Sequence, residues 1–239
     1  MNKQQEIKKE SYFKLRNVSP GELDEKSAPP IYLKNTLPKD TESKILDIGC
    51  GFGSLMQQFK NIGYKNTSGI DLNTESINYC KEKGFDVELI NNIGEYSETN
   101  SDKFDFATMT HVIEHIKKEE IIDTLINIRK MLRPGGTLYI ATPNGQAKSG
   151  AYWMFEDFTH EVIFTAGSLS YVLKAAGFSE VEFIDKDGVE NSRVKIFKKI
   201  LLKIYRLCTN FWDKVTGVAY HPENPRIDTW EIKVAARNK

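Results

Sequence analysis

Ile45-Leu46-Asp47-Ile48-Gly49-Cys50-Gly51-Phe52-Gly53 is an apolar run that breaks into three alternating glycines. It reads as a strand over Lys44–Ile48, a glycine loop, and then a helix over Ser54–Asn61. Glycine tolerates positive φ and lets a ligand approach the backbone closely. Gly-x-Gly after the first strand marks a nucleotide site in an open α/β sheet. The loop contains no Gly-Lys-Ser/Thr, so it is not a P-loop.

Beyond the loop, Ser68–Leu72, Asp86–Ile90, Phe104–Thr110 and Thr137–Thr142 read as further strands. A helix over Thr74–Lys83, with Thr74 as its N-cap, and another over Lys118–Met131, stopped by Pro134-Gly135-Gly136, lie between them. This alternation implies parallel βαβ units with right-handed crossovers, and hence a doubly wound, mostly parallel sheet. After Asn144 regularity lapses until a helix near Ser168–Ala176, a strand Val181–Ile184, an apolar and basic helical stretch Ser192–Val215, and a last strand Thr229–Ala235. The first forty residues are polar, with breakers at Ser19-Pro20-Gly21 and Pro29-Pro30 and room for one or two short helices.

The chain of 239 residues is long enough for one large α/β domain with an elaboration, and its charges balance at 33 basic against 33 acidic residues. That balance leaves no global field to attract nucleic acid and argues against a general DNA or RNA binder. Cys50, Cys80 and Cys208 have neither CxxC nor metal-finger spacing and suit a reducing compartment. Met1–Lys9 lacks the apolar centre of a signal peptide, and no charge-free run reaches the roughly 20 apolar residues of a membrane span. The expected location is cytoplasmic.

Asp71 ends the second strand about 20 residues past the loop, where a carboxylate accepts hydrogen bonds from both ribose hydroxyls of a nucleoside. Asp47, ahead of the glycines, is placed to face the ammonium of a methionine moiety. On these residues the sequence resembles the class I S-adenosylmethionine-dependent methyltransferases. Asp47–Gly53 matches their first motif and Asp71 their ribose acid; Phe104-Asp105-Phe106 and Leu132-Arg133-Pro134-Gly135-Gly136 also match. The resemblance covers about Lys44 to Phe183. It implies a Rossmann-like, seven-stranded sheet with an antiparallel last strand, and S-adenosylmethionine as cofactor. It places Asp47, Gly49, Cys50, Gly51, Gly53, Asp71, Leu72, Thr110 and His111 around that cofactor, with Asn91-Asn92-Ile93 at the adenine, where the family often has an acid. A dehydrogenase-like fold with similar glycines for NAD fits poorly, because of the strand-four pattern and the Pro-Gly-Gly turn.

Thr110-His111-Val112-Ile113-Glu114-His115 follows strand four, and the carboxyl ends of such strands line the ligand crevice. His111, Glu114 and His115 stand at i, i+3 and i+4, so one helical turn would put them on one face. The pair Glu114-His115 is familiar in the family, where it orders the cofactor pocket; His115 or His111 as general base is the alternative, since histidine titrates near neutrality. Quinone-type O-methyltransferases have Glu-x-x-Glu-His here and are associated with a divalent ion. The His-x-x-Glu-His of this chain makes His111, Glu114 and His115 the metal candidates.

Trp153-Met154-Phe155-Glu156-Asp157-Phe158-Thr159-His160 falls in the irregular stretch after strand five, where acceptor-binding insertions occur in this family. Its aromatics, Asp157 and His160 would wall a pocket, with His160 the leading base and His115 the second; a packed loop is the plainer alternative. Asp157-Phe158-Thr159-His160 with Phe164-Thr165 and Ala176-Gly177-Phe178 resembles methyltransferases of bacterial surface-polysaccharide gene clusters.

The expected organisation is an N-terminal helical extension, 1–40, and a methyltransferase domain, 41–239, with insertions at 145–165 (acceptor loop) and 188–226 (basic helix). The expected activity is methyl transfer from S-adenosylmethionine to an O or N atom of a small polar metabolite, a saccharide or phosphorylated precursor of a capsule or other surface polysaccharide. The alternatives are a quinone or phenol O-methyltransferase using a divalent metal and a non-catalytic cofactor-binding module. The basic stretch suits peripheral contact with an anionic membrane, or equally a lid, internal packing or a homodimer contact.

Overall fold

The computed structural model describes residues 12–16, 18–20, 23, 26–184, 193–217 and 224–239. Seven strands form one sheet in the order β3-β2-β1-β4-β5-β7-β6. They are β1 Lys44–Ile48, β2 Asn66–Asp71, β3 Asp86–Leu89, β4 Phe104–Thr110, β5 Leu132–Pro143, β6 Glu180–Ile184 and β7 Glu231–Arg237. β1 to β5 pair in parallel, whereas β7 runs antiparallel to both β5 and β6. This is the Rossmann-like α/β architecture that the sequence implied. The strand order reverses between β1 and β4, so a crevice opens at their carboxyl ends.

The described helices are α1 Tyr12–Leu15, α2 Ile31–Lys34, α3 Ser54–Asn61, α4 Thr74–Glu82, α5 Ile93–Thr99, α6 Ile121–Met131, α7 Gly150–Glu156, α8 Ala166–Ala175 and α9 Arg193–Thr216. Two of them, α5 and α7, lie where the sequence pattern gave no helix. The cap of α4 is Asn73 rather than Thr74: the Asn73 side chain accepts from the Ser76 N–H at 2.9 Å. Asn92 caps α5 in the same way, through the Glu95 N–H. The helix α8 starts two residues earlier than its pattern suggests, because Thr165 and Ser168 form a reciprocal capping box.

Ile45, Leu46, Ile48, Phe106, Met109, Leu138 and Ile140 fill the sheet centre, each nearly inaccessible to solvent. The N-terminal segment belongs to this packing: Leu33 and Leu37 join Ile45, Phe59 and Tyr139 in one apolar cluster. Pro134-Gly135-Gly136 does not precede β5 but lies inside it, as an irregularity that shifts its register against β4. Gly135 takes φ +80°, and a Cβ on Gly136 would come 2.9 Å from the Arg133 carbonyl. Arg133 also pairs with Asp105 at 2.9 Å, which ties the start of β4 to this turn.

Candidate active site

The glycine loop is built by its backbone. Gly49, Gly51 and Gly53 all have positive φ, and the Gly49 and Cys50 N–H groups donate to the Ile70 carbonyl. A Cβ on Gly49 would sit 2.3 Å from Val112 Cγ2, so only glycine fits against the segment that follows β4. The Asp71 carboxylate accepts the Gly51 N–H and the Asn73 N–H, both at 2.8 Å, and these bonds fix it against the glycine loop. Burial raises the Asp71 pKa, opposed by those backbone donors.

Asp47 lies beneath the loop, 3% exposed, and accepts a hydrogen bond from Thr108 Oγ1 at 2.7 Å. Burial pushes its carboxyl up to about 7; the Thr108 bond opposes this, and the charge of Asp71 adds to it. Two buried carboxylates side by side attract a cationic ligand, because a positive charge relieves the cost of ionising them. Cys50 and Cys80 touch under the same loop. Their contact and burial drive the Cys50 thiol up, while the contact draws the Cys80 thiol below its ordinary value.

A cavity of about 500 Å³ opens at the carboxyl ends of β1, β4 and β5. Gly49, Cys50, Phe52, Thr110, Ala141 and Glu231 line it on the sheet side, and Phe13, Val18 and Leu23 on the N-terminal side. Phe13 stacks on Phe52 with ring centres 4.7 Å apart, and Arg16 pairs with Glu156 at 2.8 Å. The N-terminal segment therefore bridges the glycine loop and the end of α7. Leu72 and Asn91 are exposed near the ends of β2 and β3, and Asn92 is committed through its side-chain oxygen to the cap of α5.

His111 does not share a face with Glu114 and His115. It adopts φ +54°, outside the helical region, and only Ile113–His115 form a 3₁₀ turn. Its Nδ1 lies 3.3 Å from Glu114 Oε1 and its Nε2 2.9 Å from Glu231 Oε1, and its ring stacks on Trp230. Burial opposes protonation, yet the two carboxylates prevail and raise its pKa to about 9. That raised pKa favours the imidazolium, which offers no lone pair, and the described residues whose ligand atoms converge are Glu114, His115 and His160 rather than His111.

The remaining residues of the two clusters converge. His115 Nδ1 is 2.9 Å from Thr159 Oγ1, whose single proton goes to Asp157 Oδ1 at 2.6 Å. The hydroxyl must therefore accept from His115, which places the proton on Nδ1 and makes Nε2 the lone-pair nitrogen. His160 Nδ1 lies 2.7 Å from the Trp153 carbonyl, an acceptor only, so its lone pair is likewise on Nε2. The two imidazoles meet edge to face, 4.7 Å apart. Burial holds the His115 pKa below its ordinary value, with nearby Glu114 opposing. Glu114, 1% exposed, accepts from Thr142 Oγ1 at 3.0 Å, while its Oε1 makes no hydrogen bond. Ligand atoms of Glu114, His115 and His160 all lie within 4.8 Å of one another.

Residues 24–182 match the family model described as a methyltransferase domain. The chain belongs to this family. It is 30% identical over 112 residues to a protein of Thiobacillus denitrificans named ubiquinone biosynthesis O-methyltransferase, covering 44% of this chain and 47% of that one. This methyltransferase thus spans about half the length of the curated relative it matches. A structure of a SAM-dependent methyltransferase from Archaeoglobus fulgidus aligns with a TM-score of 0.62 at 20% identity, over 87% of this chain and 91% of that one. Phosphoethanolamine N-methyltransferase 2 of Haemonchus contortus, solved with S-adenosyl-L-methionine, aligns at 0.58 with 22% identity, over 87% of this chain and 51% of that one. At such identities the likeness is one of fold.

Several residues of this methyltransferase site were not singled out in the sequence. Thr108 holds Asp47, Trp230 and Glu231 hold His111, Thr159 links His115 to Asp157, and Arg16 reaches Glu156 at the end of α7. One signal was present for Glu231. Glu231 and Lys233 share one side of β7, an unusual pair of charges for a strand between two neighbours, and they lie 3.1 Å apart.

Proposed function

We propose that the chain transfers a methyl group from S-adenosylmethionine to a hydroxyl oxygen of a small polar acceptor, a saccharide or phosphorylated saccharide precursor. The observation that carries this reading is the pair of imidazoles His115 and His160, each with its lone pair on Nε2, on the segments that follow β4 and β5. The cofactor supplies a methyl group already activated on a sulfonium centre. Asp47, a buried carboxylate with no cation partner among the described residues, suits the cofactor's ammonium, and Asp71, fixed by two backbone N–H groups, suits its ribose. Leu72, Thr110 and Asn91-Asn92-Ile93 complete the cofactor crevice in this reading.

A hydroxyl must lose its proton as the new bond forms, and a positioned base contributes about 10²–10⁴-fold. His160 takes that proton, with His115 behind it and the Thr159–Asp157 pair fixing the tautomer. Alignment of the acceptor contributes more, up to about 7–11 kcal/mol. Trp153 and Trp230, 5.2 Å apart, give flat apolar surfaces against which a sugar ring packs. Mass spectrometry of the protein incubated with S-adenosylmethionine and a panel of sugar nucleotides, phosphorylated amines and phenols tests this. A methyl-sized gain on a sugar supports it, and a gain confined to phenols refutes it.

That second outcome is the reading favoured by the name of the curated relative. In it Glu114, His115 and His160 would hold a divalent ion that lowers the pKa of a phenol hydroxyl. Chelator sensitivity of turnover separates the two.

A further inference from the structure

The helix α9 is amphipathic in the reverse of the usual sense. Arg206, Thr209, Asn210 and Asp213 face the domain: Arg206 pairs with Asp228 at 2.7 Å, and Arg226 binds Thr209, Asn210 and Asp213. At 100° per residue the apolar side chains Phe197, Leu201, Ile204, Leu207, Phe211 and Trp212 occupy an arc of about 140° on the opposite side. All six are exposed, between 49% and 66%. A helix packed on its own domain buries that stripe; this one turns it outward and anchors itself by polar groups.

The charges indicate what covers it. The helix carries seven cations, Arg193, Lys195, Lys198, Lys199, Lys203, Arg206 and Lys214, against the single acid Asp213, in a chain whose total charge is zero. Asp213 itself points inward to Arg226. Lys203 and Lys214 flank the apolar arc, and two copies of this helix meeting through that side would offer those lysines no acid of the helix to pair with, which argues against a symmetric dimer. An anionic lipid surface satisfies both features: aromatic and aliphatic side chains enter the headgroup boundary while lysines beside them meet lipid phosphates. No described helix is long and apolar enough to cross a membrane, so α9, about 36 Å long, lies on the surface.

We propose that α9 is a peripheral docking element for anionic membranes, binding through the outward Phe197–Trp212 face. This does not depend on which acceptor is methylated.

The test is co-sedimentation of the full chain with vesicles of phosphatidylcholine, alone or with about one-third phosphatidylglycerol. Binding is expected to the anionic vesicles, to weaken as salt rises, and to be slight on phosphatidylcholine. Lys203→Gln with Lys214→Gln, two lysines flanking the apolar arc, should weaken it about 25-fold, at roughly fivefold per cation. Leu207→Glu with Phe211→Glu should abolish it, with cofactor binding by calorimetry unchanged in both variants as proof of folding. Failure to sediment with either vesicle, or equal binding to both, overturns the proposal. So does a lipid-free dimer in analytical ultracentrifugation that the Leu207→Glu and Phe211→Glu changes convert to monomer.

Discussion

Replacing Asp47 with Asn should make the cofactor-free protein more stable and bind its cofactor less well. Asp47 is buried, and its carboxyl is pushed up to about 7. In the unfolded chain it titrates near 3.9. The unfolded state therefore ionises first, and folded stability falls as pH rises from about 4 to about 7. Three pH units at about 1.36 kcal/mol each amount to about 4 kcal/mol lost at pH 7.5. Asn keeps an acceptor for the Thr108 hydroxyl and carries no charge, so it recovers most of that difference. For a domain of this size the gain is roughly 10 °C in Tm by calorimetry. A cationic ligand that pairs with the ionised carboxylate binds in proportion to the ionised fraction. Affinity for S-adenosylhomocysteine should then fall about fivefold from pH 7 to pH 6, where the ligand's own amino group stays protonated. Isothermal titration calorimetry on both proteins measures this. An Asp47→Asn variant that melts no higher, or that keeps the pH dependence of the unaltered chain, refutes the reasoning.

Gly49→Ala places a Cβ 2.3 Å from Val112 Cγ2 at φ +72° and should cost cofactor affinity at least tenfold; adding Val112→Ala relieves the contact but not the left-handed backbone, so recovery by calorimetry should be partial. His160→Ala should lower kcat by about 10²–10⁴-fold while cofactor affinity holds, and unchanged turnover would end its assignment as base. Burial keeps His115 below its ordinary pKa of about 6.5, so ring titration by NMR should find it neutral at pH 7, and a pKa above the ordinary value would refute that reading of its surroundings. Glu231→Gln should lower the His111 pKa from about 9 by about one pH unit, a modest change for a ring 38% exposed to solvent. Histidine ring titration by NMR reads that change, and an unaltered His111 would mean Glu114 alone holds the charge.

The segment 44–143 was legible because each signal in it is local. A strand, a glycine loop and a helix are written in consecutive residues, and Asp71 follows at a fixed interval set by one helix and one strand. Asp105 and Arg133 could be recognised in the sequence, but their ion pair exists only because β4 and β5 are neighbours. The helices α5 and α7, seven residues each, escaped because neither carries a long apolar stripe: α5 is held by its Asn92 cap, and α7, without a side-chain cap, ends in the Arg16–Glu156 pair.

The sequence by itself determined the doubly wound sheet and the place of the glycine loop, since hydrophobic period and glycine spacing act within a few residues. The tertiary structure decided the chemistry of the histidines. Spacing alone grouped His111 with His115, but a left-handed backbone at His111 separates them, so His111 meets Glu231 from β7 and His115 meets His160. It also decided which way α9 faces, because the helical period says that an apolar side exists and only contacts with Arg226 and Asp228 turn it away from the domain. Proton positions and the exposure of a helix face depend on which side chains the fold brings together, from Arg226 and Asp228 against α9 to Glu231 against His111, and no local pattern encodes those meetings.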